Sequence, residues 1–319
     1  MSDHFLSFIE IEKFKCFSNF KAEGFKRVNL IGGKNNVGKT AFMEACYVHT
    51  RAEIINGMIA ALIAIKLDRE SINILYDDYD EKNPQKVLDS TKYFSTASNI
   101  RTCSYFLTEV DATKNYEISI DDKKSLIPAR DLVFIPNRSP DIKIIDNFGW
   151  SDGGLNWAYE AIQKHDEEKE LNQFVQEFDN SIESFKVIGN KPQCKVNEEY
   201  RDITEFGDGL KHYISIICAL YACENGYLFI DEIGNGIHYT QHDRLWELIL
   251  TLSKKTNCQV FAITHSKEML ESFARVAKKL NEQDISYTTL VKNKKEEIKA
   301  ITQDAKMLFY SMSQEHEVR

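Results

Sequence analysis

The sequence predicts an α/β fold whose central, mostly parallel sheet is flanked by helices. Three observations carry that prediction. Arg27-Val28-Asn29-Leu30-Ile31 is an apolar strand that runs into a glycine-bearing loop and then a helical pattern from Ala41 to Cys46. Tyr227-Leu228-Phe229-Ile230 and Gln259-Val260-Phe261-Ala262-Ile263 are continuous apolar runs, as expected of strands buried on both faces. Helical patterns at 210–222, 242–254 and 267–280 alternate with them, which is the rhythm of a parallel sheet.

Composition sets the outer limits. The chain has 319 residues, enough to bury a substantial core in one large domain or two small ones. At 43% hydrophobic and 28% charged it is an ordinary soluble globular sequence. A formal net charge of -9 argues against a general nucleic-acid coat while leaving room for a local basic groove. Seven cysteines without a C-x-x-C pair predict free thiols in a reducing compartment, not a disulfide frame or zinc site. Met1-Ser2-Asp3-His4 lacks the basic start of a signal peptide. The longest apolar run, 58–65, stops at Lys66 and is too short to span a bilayer. The expectation is a cytoplasmic protein with no membrane contact.

The elements then come in order. Phe8-Ile9-Glu10-Ile11-Glu12 alternates like a half-exposed strand, and Phe14-Lys15-Cys16-Phe17 and Phe20 continue an N-terminal antiparallel β part before the 27–31 strand. Residues 40–67 are helical, with a break expected at Asn56-Gly57. Residues 77–84 read as a solvated acidic loop. Asp78-x-Asp80 superficially matches the metal-binding D-x-D of Toprim nucleases, but no preceding strand carries the glutamate such a site needs. Residues 101–120 predict a hairpin turning near 111–115, and 132–136 another strand ending at Asn137-Arg138. A long Glu- and Lys-rich helix is expected over 155–178, succeeded by a hairpin of 185–188 and 194–196. The chain should finish with a hairpin over 286–302, turning at Asn293-Lys294-Lys295, and a short helix. One domain, 1–319, is expected, with parts 1–70, 71–200 (an inserted β and helical lobe) and 201–319.

Four motifs carry the chemistry, and they come in a set order. Gly33-Lys34-Asn35-Asn36-Val37-Gly38-Lys39-Thr40 has the form G-x-x-x-x-G-K-T of a phosphate-binding loop. Gly33 and Gly38 let the backbone bring N–H groups to phosphate oxygens. Lys39 supplies a cation, Thr40 a hydroxyl for Mg²⁺, and the helix that starts at about Gly38 its positive end. The phosphate-contacting set is Gly33, Asn35, Asn36, Val37, Gly38, Lys39, Thr40 and Ala41. Phe206-Gly207-Asp208-Gly209-Leu210-Lys211 is a glycine turn that opens a helix. Leu228-Phe229-Ile230-Asp231-Glu232 is an apolar strand ending in two carboxylates, and Phe261-Ala262-Ile263-Thr264-His265-Ser266 is one ending in a histidine. Asp231 is expected to hold Mg²⁺ through water opposite Thr40, Glu232 to orient and polarise an attacking water, and His265 to contact the γ-phosphate region. All three should lie beyond the carboxyl ends of their strands, where ligands of parallel sheets gather.

This order resembles the ABC-type ATPases of the SMC/RecF/OLD branch, small OLD-like ATPases in particular. Asn35-Asn36 is similar to the G-x-N-N-x-G-K-[ST] usage of that branch. Phe14-Lys15-Cys16-Phe17 resembles its N-F-(K/R)-x-F stretch, with Lys13 where Asn is usual. Asp231-Glu232-Ile233-Gly234-Asn235-Gly236-Ile237-His238 looks like its Walker B and D-loop. Phe206 to Lys211 is the best match to the L-S-G-G-Q signature, with Gly207 in place of the serine and Asp208 in place of the first glycine. The backbone N–H groups of Gly207 and Gly209 stand in for the serine contact. Asn137-Arg138 holds the position of the Q-loop, where no glutamine is found. The resemblance covers both ends of the chain and leaves about 71–195 poorly covered.

The resemblance implies an ABC-ATPase head, ATP and Mg²⁺ as ligands, and a homodimer. Each ATP would lie between the phosphate loop of one copy and the signature turn of the other, among Gly207, Asp208 and Gly209. No long coiled coil is expected: 155–178 lacks sustained apolar heptads. Three functions stand as expectations. The first is an ATPase subunit of bacterial defence against phage or foreign DNA. With little chain after the final hairpin for a nuclease domain, it would act through a separate effector such as a Toprim-like or HNH nuclease. The second is a RecF-like, ATP-gated DNA-binding protein of repair, for which Lys292, Lys294 and Lys295 are the local basic cluster, diluted by Glu296 and Glu297. The third is a nucleotide-controlled scaffold without appreciable turnover, against which the presence of Glu232 argues.

Overall fold

Alternation in the first strand starts the architecture. In β1 (Phe8–Phe14), Ile9, Ile11 and Phe14 are buried while Glu10, Glu12 and Lys13 face out. The computed structural model describes residues 4–70, 84–110, 113–132, 141–146 and 149–314. β1 turns through Lys15, which is left-handed (φ 48), into antiparallel β2 (Phe17–Glu23). Four strands of the inserted stretch extend this pair: β4 (Tyr93–Ser98), β5 (Thr102–Val110), β6 (Thr113–Ile120) and β7 (Lys123–Pro128), in the order β2-β1-β4-β5-β6-β7. The β5–β6 hairpin matches the prediction, except that β6 starts at Thr113, inside the turn expected at 111–115. β4 was not foreseen because two of its three buried positions, Ser95 and Thr96 beside Phe94, are polar. Both are satisfied: the Ser95 hydroxyl donates to Glu12 Oε2 (2.7 Å), and His49 Nδ1 meets the Thr96 hydroxyl at 2.8 Å while its Nε2 meets that of Ser98 at 2.7 Å.

The second six-stranded sheet is the predicted core. Its members are β3 (Val28–Gly33), β8 (Ile142–Ile145), β12 (Tyr227–Ile230), β13 (Gln259–Ile263), β14 (Ile285–Lys292) and β15 (Ile298–Asp304). They run in the order β15-β14-β3-β13-β12-β8, parallel throughout except for the β14–β15 hairpin. Alternation sends Tyr227, Phe229, Phe261 and Ile263 to one face and Leu228, Ile230, Val260 and Ala262 to the other. The first face packs on α1 (Lys39–Arg51) and α2 (Ile55–Glu70), which share a core with the N-terminal sheet through Phe14, Phe20 and Phe42. The second packs on α4 (Asp152–Lys164), α6 (Asp208–Ala222), α7 (His242–Lys255), α8 (Lys267–Lys279) and α9 (Ala305–Ser313). α5 (Glu168–Phe178) and a small sheet of β9 (Ser184–Ile188), β10 (Lys191–Val196) and β11 (Glu199–Asp202) cover that layer. The short α3 (Pro84–Asp89) precedes β4.

Several expectations are corrected. The helical stretch after the phosphate loop breaks at 52–54, not at Asn56-Gly57. Gly57 lies in the first turn of α2, where a Cβ would overlap the Arg51 carbonyl oxygen, so this glycine permits close approach of two helix ends. The long helix predicted over 155–178 is two, α4 and α5, separated at left-handed Asp166 (φ 55). The reason is facial: α4 buries Ile162 and α5 buries Leu171, nine residues on. In one continuous helix those two would point about 180° apart. The strand expected at 132–136 falls outside the described residues beyond Leu132, which is not in a strand. Asp78-x-Asp80 and Asn137-Arg138 also lie outside the described residues. No helix among the described residues is long and apolar enough to cross a membrane. All seven cysteines are free, and only Cys16 is exposed.

Candidate functional site

Four parallel strand ends meet along one edge of the core sheet. Ile31 of β3 lies opposite Ile263 of β13, Ala262 of β13 opposite Ile230 of β12, and Ile230 opposite Ile145 of β8. The phosphate loop, Thr264-His265, Asp231-Glu232 and Asp146 therefore emerge side by side. Backbone bonds continue the register past the strands: Thr264 N–H donates to the Ile31 carbonyl (3.1 Å), and Asp231 N–H to that of Ile145 (2.9 Å).

The loop is shaped by crowding from behind. Gly33 (φ 132) and Gly38 (φ 92) are both in the region that favours glycine. A Cβ on Gly33 would overlap the Leu290 carbonyl of β14, and one on Gly38 would lie 2.7 Å from the Cys16 Sγ in the β1–β2 turn. Asn36 is left-handed (φ 62), a conformation asparagine adopts more readily than most residues. α1 then starts at Lys39 with Gly38 as its cap, no side-chain cap bond and no acid in its first turn. Its leading N–H groups thus have no helical partner, which is how a helix start takes an anion.

Lys39 is only 4% exposed, and its Nζ donates to the carbonyls of Gly33 and Lys34, each at 2.9 Å. Burial lowers its pKa, and the nearby carboxylates of Glu232 and Asp231 work against that shift. The carboxylates of the β12 end therefore face the cation of the phosphate loop, with Thr40 next in the same helical turn. A hydroxyl and a carboxylate are hard oxygen donors, the kind Mg²⁺ takes while keeping several waters. Among the described residues no group of three or more His, Cys, Asp or Glu side chains is arranged to hold a metal. The donor set fits a cation bound mainly through substrate and water.

Glu232 and His265 are in contact, Oε1 to Nε2 at 2.6 Å. Burial, and then the charge of Asp231, push the Glu232 carboxyl up to about 6, against the pull of Lys39. Burial, and then Lys39, lower His265. At neutral pH the contact is an N–H of a neutral imidazole donated to a carboxylate. Glu232 is also left-handed (φ 48), a strain of order 1–3 kcal/mol that neighbouring contacts must hold in place.

The glycine turn lies elsewhere. Gly207 (φ 85) caps α6 without a side-chain bond, and Asp208 is exposed in its first turn. A cavity of about 600 Å³ beside the phosphate loop is lined by Gly32 to Asn35, Thr264 to Lys267, Leu270 and Tyr287, and by none of Gly207, Asp208 and Gly209. Gly209 instead backs onto Gly236, where a Cβ would overlap the Gly236 carbonyl oxygen. The structure so gathers Lys39, Asp231, Glu232 and His265 and sets the 207–209 turn apart.

Two residues escaped sequence reasoning. Tyr287 of β14 covers Gly32 so closely that a Cβ there would overlap its hydroxyl, and nothing in a strand pattern signals that. Asp146 ends β8 beside Asp231. Its signal was present, since Ile142-Lys143-Ile144-Ile145-Asp146 is, like 228–231, an apolar run closed by a carboxylate.

Comparison with known proteins bears on the fold and the activity. Residues 155–270 match the family described as AAA ATPase domain, a span that includes α6, Asp231-Glu232 and His265. An "ATP/GTP phosphatase" of Helicobacter pylori (strain ATCC 700392 / 26695) is 27% identical over 338 residues, covering 88% of this chain and 90% of that protein. An SMC head bound to the C-winged helix domain of ScpA superposes with a TM-score of 0.54 at 13% identity, covering 94% of this chain and 98% of that one. An Smc head with an extended coiled coil, bound to the C-terminal domain of ScpA derived from Pyrococcus furiosus, gives 0.52 at 11% identity, with 97% and 99% covered. The chain is an ATPase. The fold of this ATPase is that of an SMC head.

Proposed function

We propose that the ATPase closes as a homodimer around ATP and controls a separate effector protein, in bacterial defence against phage or foreign DNA. The observation that carries the dimer is the start of α6. It is exposed at Gly207 and Asp208, uncapped, and outside the cavity beside its own phosphate loop. A helix start with unused N–H groups suits an anion brought by a second copy. Within one copy, the loop residues Gly33, Asn35, Asn36, Val37, Gly38 and Ala41 cradle the phosphates and Lys39 pairs with them. Thr40 and Asp231 would hold Mg²⁺, which neutralises phosphate charge when bound. Glu232 orients the attacking water, and His265 holds and releases Glu232. The two SMC heads bear ScpA domains in their structures. A partner effector on this ATPase, such as a Toprim-like or HNH nuclease, fits that pattern.

The test is mass by light scattering of Glu232→Gln with and without ATP–Mg²⁺. A shift from monomer to dimer with nucleotide is expected. A mass that ignores nucleotide overturns the ATP-closed dimer. The RecF-like reading would need a basic DNA path. At the β14–β15 tip, Lys292 is paired with Glu296 (3.2 Å), and Glu297 is held by Asn293 (2.8 Å), so the tip carries little net charge. The scaffold reading is separated from the first by ATP turnover per dimer.

A further inference from the structure

A second cavity, of about 780 Å³, adjoins the first. It shares Thr264, His265 and Ser266 with the cavity beside the phosphate loop, but Glu232 and the turn at 234–239 line it in place of the loop. Its chemistry is the reverse of the phosphate site. Glu232 and Glu268 supply two carboxylates, and among the described residues no lysine or arginine lines it. Like charge therefore disfavours an anion there. A metal does not fit either, since no group of three or more His, Cys, Asp or Glu side chains among the described residues is arranged to hold one.

His242, at the start of α7, borders this cavity and is 6% exposed. Its Nε2 lies 3.2 Å from the Ile237 carbonyl oxygen, which can only accept, so Nε2 carries the proton. The other ring nitrogen, Nδ1, is buried and has no hydrogen-bond partner. In the neutral ring it is a bare acceptor, and a buried acceptor is costly until a donor reaches it. Tyr239 adds an aromatic wall that is 67% exposed, its ring 4.4 Å from that of His238. Glu268 is fixed at the rim, where it accepts from the Ser266 hydroxyl (2.8 Å). One side chain matches all of these features. A guanidinium is a cation for the carboxylates, carries five N–H donors and no acceptor, and stacks on an aromatic face. A lysine ammonium has the charge but neither the fork nor the stacking plane. Free arginine would bring its own carboxylate against Glu232 and Glu268, which an arginine within a chain does not.

We propose that this cavity receives an arginine side chain of a partner protein, and that the arginine takes Glu232 from His265 and stops ATP hydrolysis. The inference rests on Glu232 as the residue that orients the attacking water. His265 touches that carboxylate at Oε1, and a guanidinium fork can hold both of its oxygens. Glu232 so held no longer orients water. The phosphate loop and Lys39 lie outside this cavity and keep their hold on ATP. The partner is then a brake on hydrolysis that leaves the ATP-bound state in place.

The probe is the tripeptide acetyl-Gly-Arg-Gly-amide, with its Lys and Gln counterparts and free L-arginine for comparison. Saturation-transfer NMR reads binding, and steady-state ATP hydrolysis reads turnover. The Arg peptide should bind the wild type, the Lys peptide and free L-arginine at least about threefold more weakly, and the Gln peptide not at all. At saturation the Arg peptide should lower kcat about tenfold or more, with the KM for ATP within about twofold. Tyr239→Ala and Glu268→Gln, both at exposed side chains, should each weaken the Arg peptide about fivefold or more. No binding, equal binding of the Arg and Gln peptides, or unchanged binding in both variants overturns the site. Free L-arginine binding as tightly as the peptide overturns the protein source. Binding without a fall in kcat overturns the action on Glu232. If Glu232→Gln keeps full activity, the underlying reading of Glu232 fails instead, and the binding measurements still judge the cavity.

Discussion

His265 Nε2 lies 2.6 Å from Glu232 Oε1, so the carboxylate assigned to the attacking water is engaged by the histidine of the neighbouring strand. Burial has pushed that carboxyl up to about 6, and only its ionised form can accept a proton or orient a water through its lone pairs. The pH profile of kcat/KM, which reports the free enzyme, should therefore fall on the acid side with a limb near 6. Glu232→Gln should cost about 10²–10⁴-fold in kcat while leaving ATP binding intact. A flat profile down to pH 5 would remove Glu232 from the rate-determining chemistry.

The same shift sets a stability difference. The folded pKa of Glu232 lies above its unfolded value, so its contribution is fully present below the unfolded pKa and is lost as pH rises through about 6. At pH 7 the folded protein bears the cost of an ionised, half-buried carboxylate. Glu232→Gln should then be more stable than the wild type at pH 7 by about 1 kcal/mol, allowing for partial exposure, and equal to it near pH 4. Urea unfolding at the two pH values measures this, and an equal gain at both would point to packing instead.

Lys39 is held over the loop by the Gly33 and Lys34 carbonyls. Lys39→Ala should lower ATP affinity by about 100-fold or more, since it removes a charge-assisted contact in a semi-buried site. Titration with a fluorescent ATP analogue reads this directly. Wild-type affinity would move the nucleotide away from the phosphate loop.

Much of this site was legible because its chemistry is local. The glycines, lysine and threonine of 33–40 and the apolar strands ending at Asp231-Glu232 and His265 each fit in a window of eight residues. The core sheet could be read from the same runs. What was not legible depended on partners distant in sequence. β4 can bury Ser95 and Thr96 because Glu12, on β1, accepts from the Ser95 hydroxyl and His49, on α1, bonds that of Thr96. Tyr287 reaches Gly32 only because β14 pairs with β3. The split of 155–178 reflects two burial faces that no single helix could serve, a constraint visible only once α6 and β9 are in place.

Gly209 backs onto Gly236, which makes it a poor probe of an interface. A bulky residue there would displace Gly236 within the same chain, so loss of a dimer could come from either cause. Asp208 is the cleaner probe, being exposed on the same turn. In a Glu232→Gln background, Asp208→Arg should leave thermal stability within about 0.5 kcal/mol, as surface changes usually do, and alter ATP-dependent mass. A dimer that forms as before would take the 207–209 turn out of the interface.

Gly38 separates two costs that a phosphate-loop glycine avoids. With φ 92, any side chain meets backbone strain, and a methyl would also lie 2.7 Å from Cys16 Sγ and 3.2 Å from the Phe17 ring. The strain belongs to the backbone and costs about 1–2 kcal/mol wherever it occurs. The clash belongs to the pair, and Cys16 sits in an exposed turn that tolerates trimming. Gly38→Ala should therefore destabilise by about 2–4 kcal/mol, and Cys16→Ala alone by less than about 1. In the double variant the clash is gone and the strain remains, so about 1–2 kcal/mol should return, a coupling of the size seen between touching residues. Strict additivity in urea unfolding would mean that the β1–β2 turn does not bear on the loop. Recovery to wild-type stability would mean that the backbone at Gly38 is not strained. ATP affinity should stay low in both Gly38 variants, because the left-handed turn that presents the first N–H groups of α1 depends on the glycine and not on its neighbour.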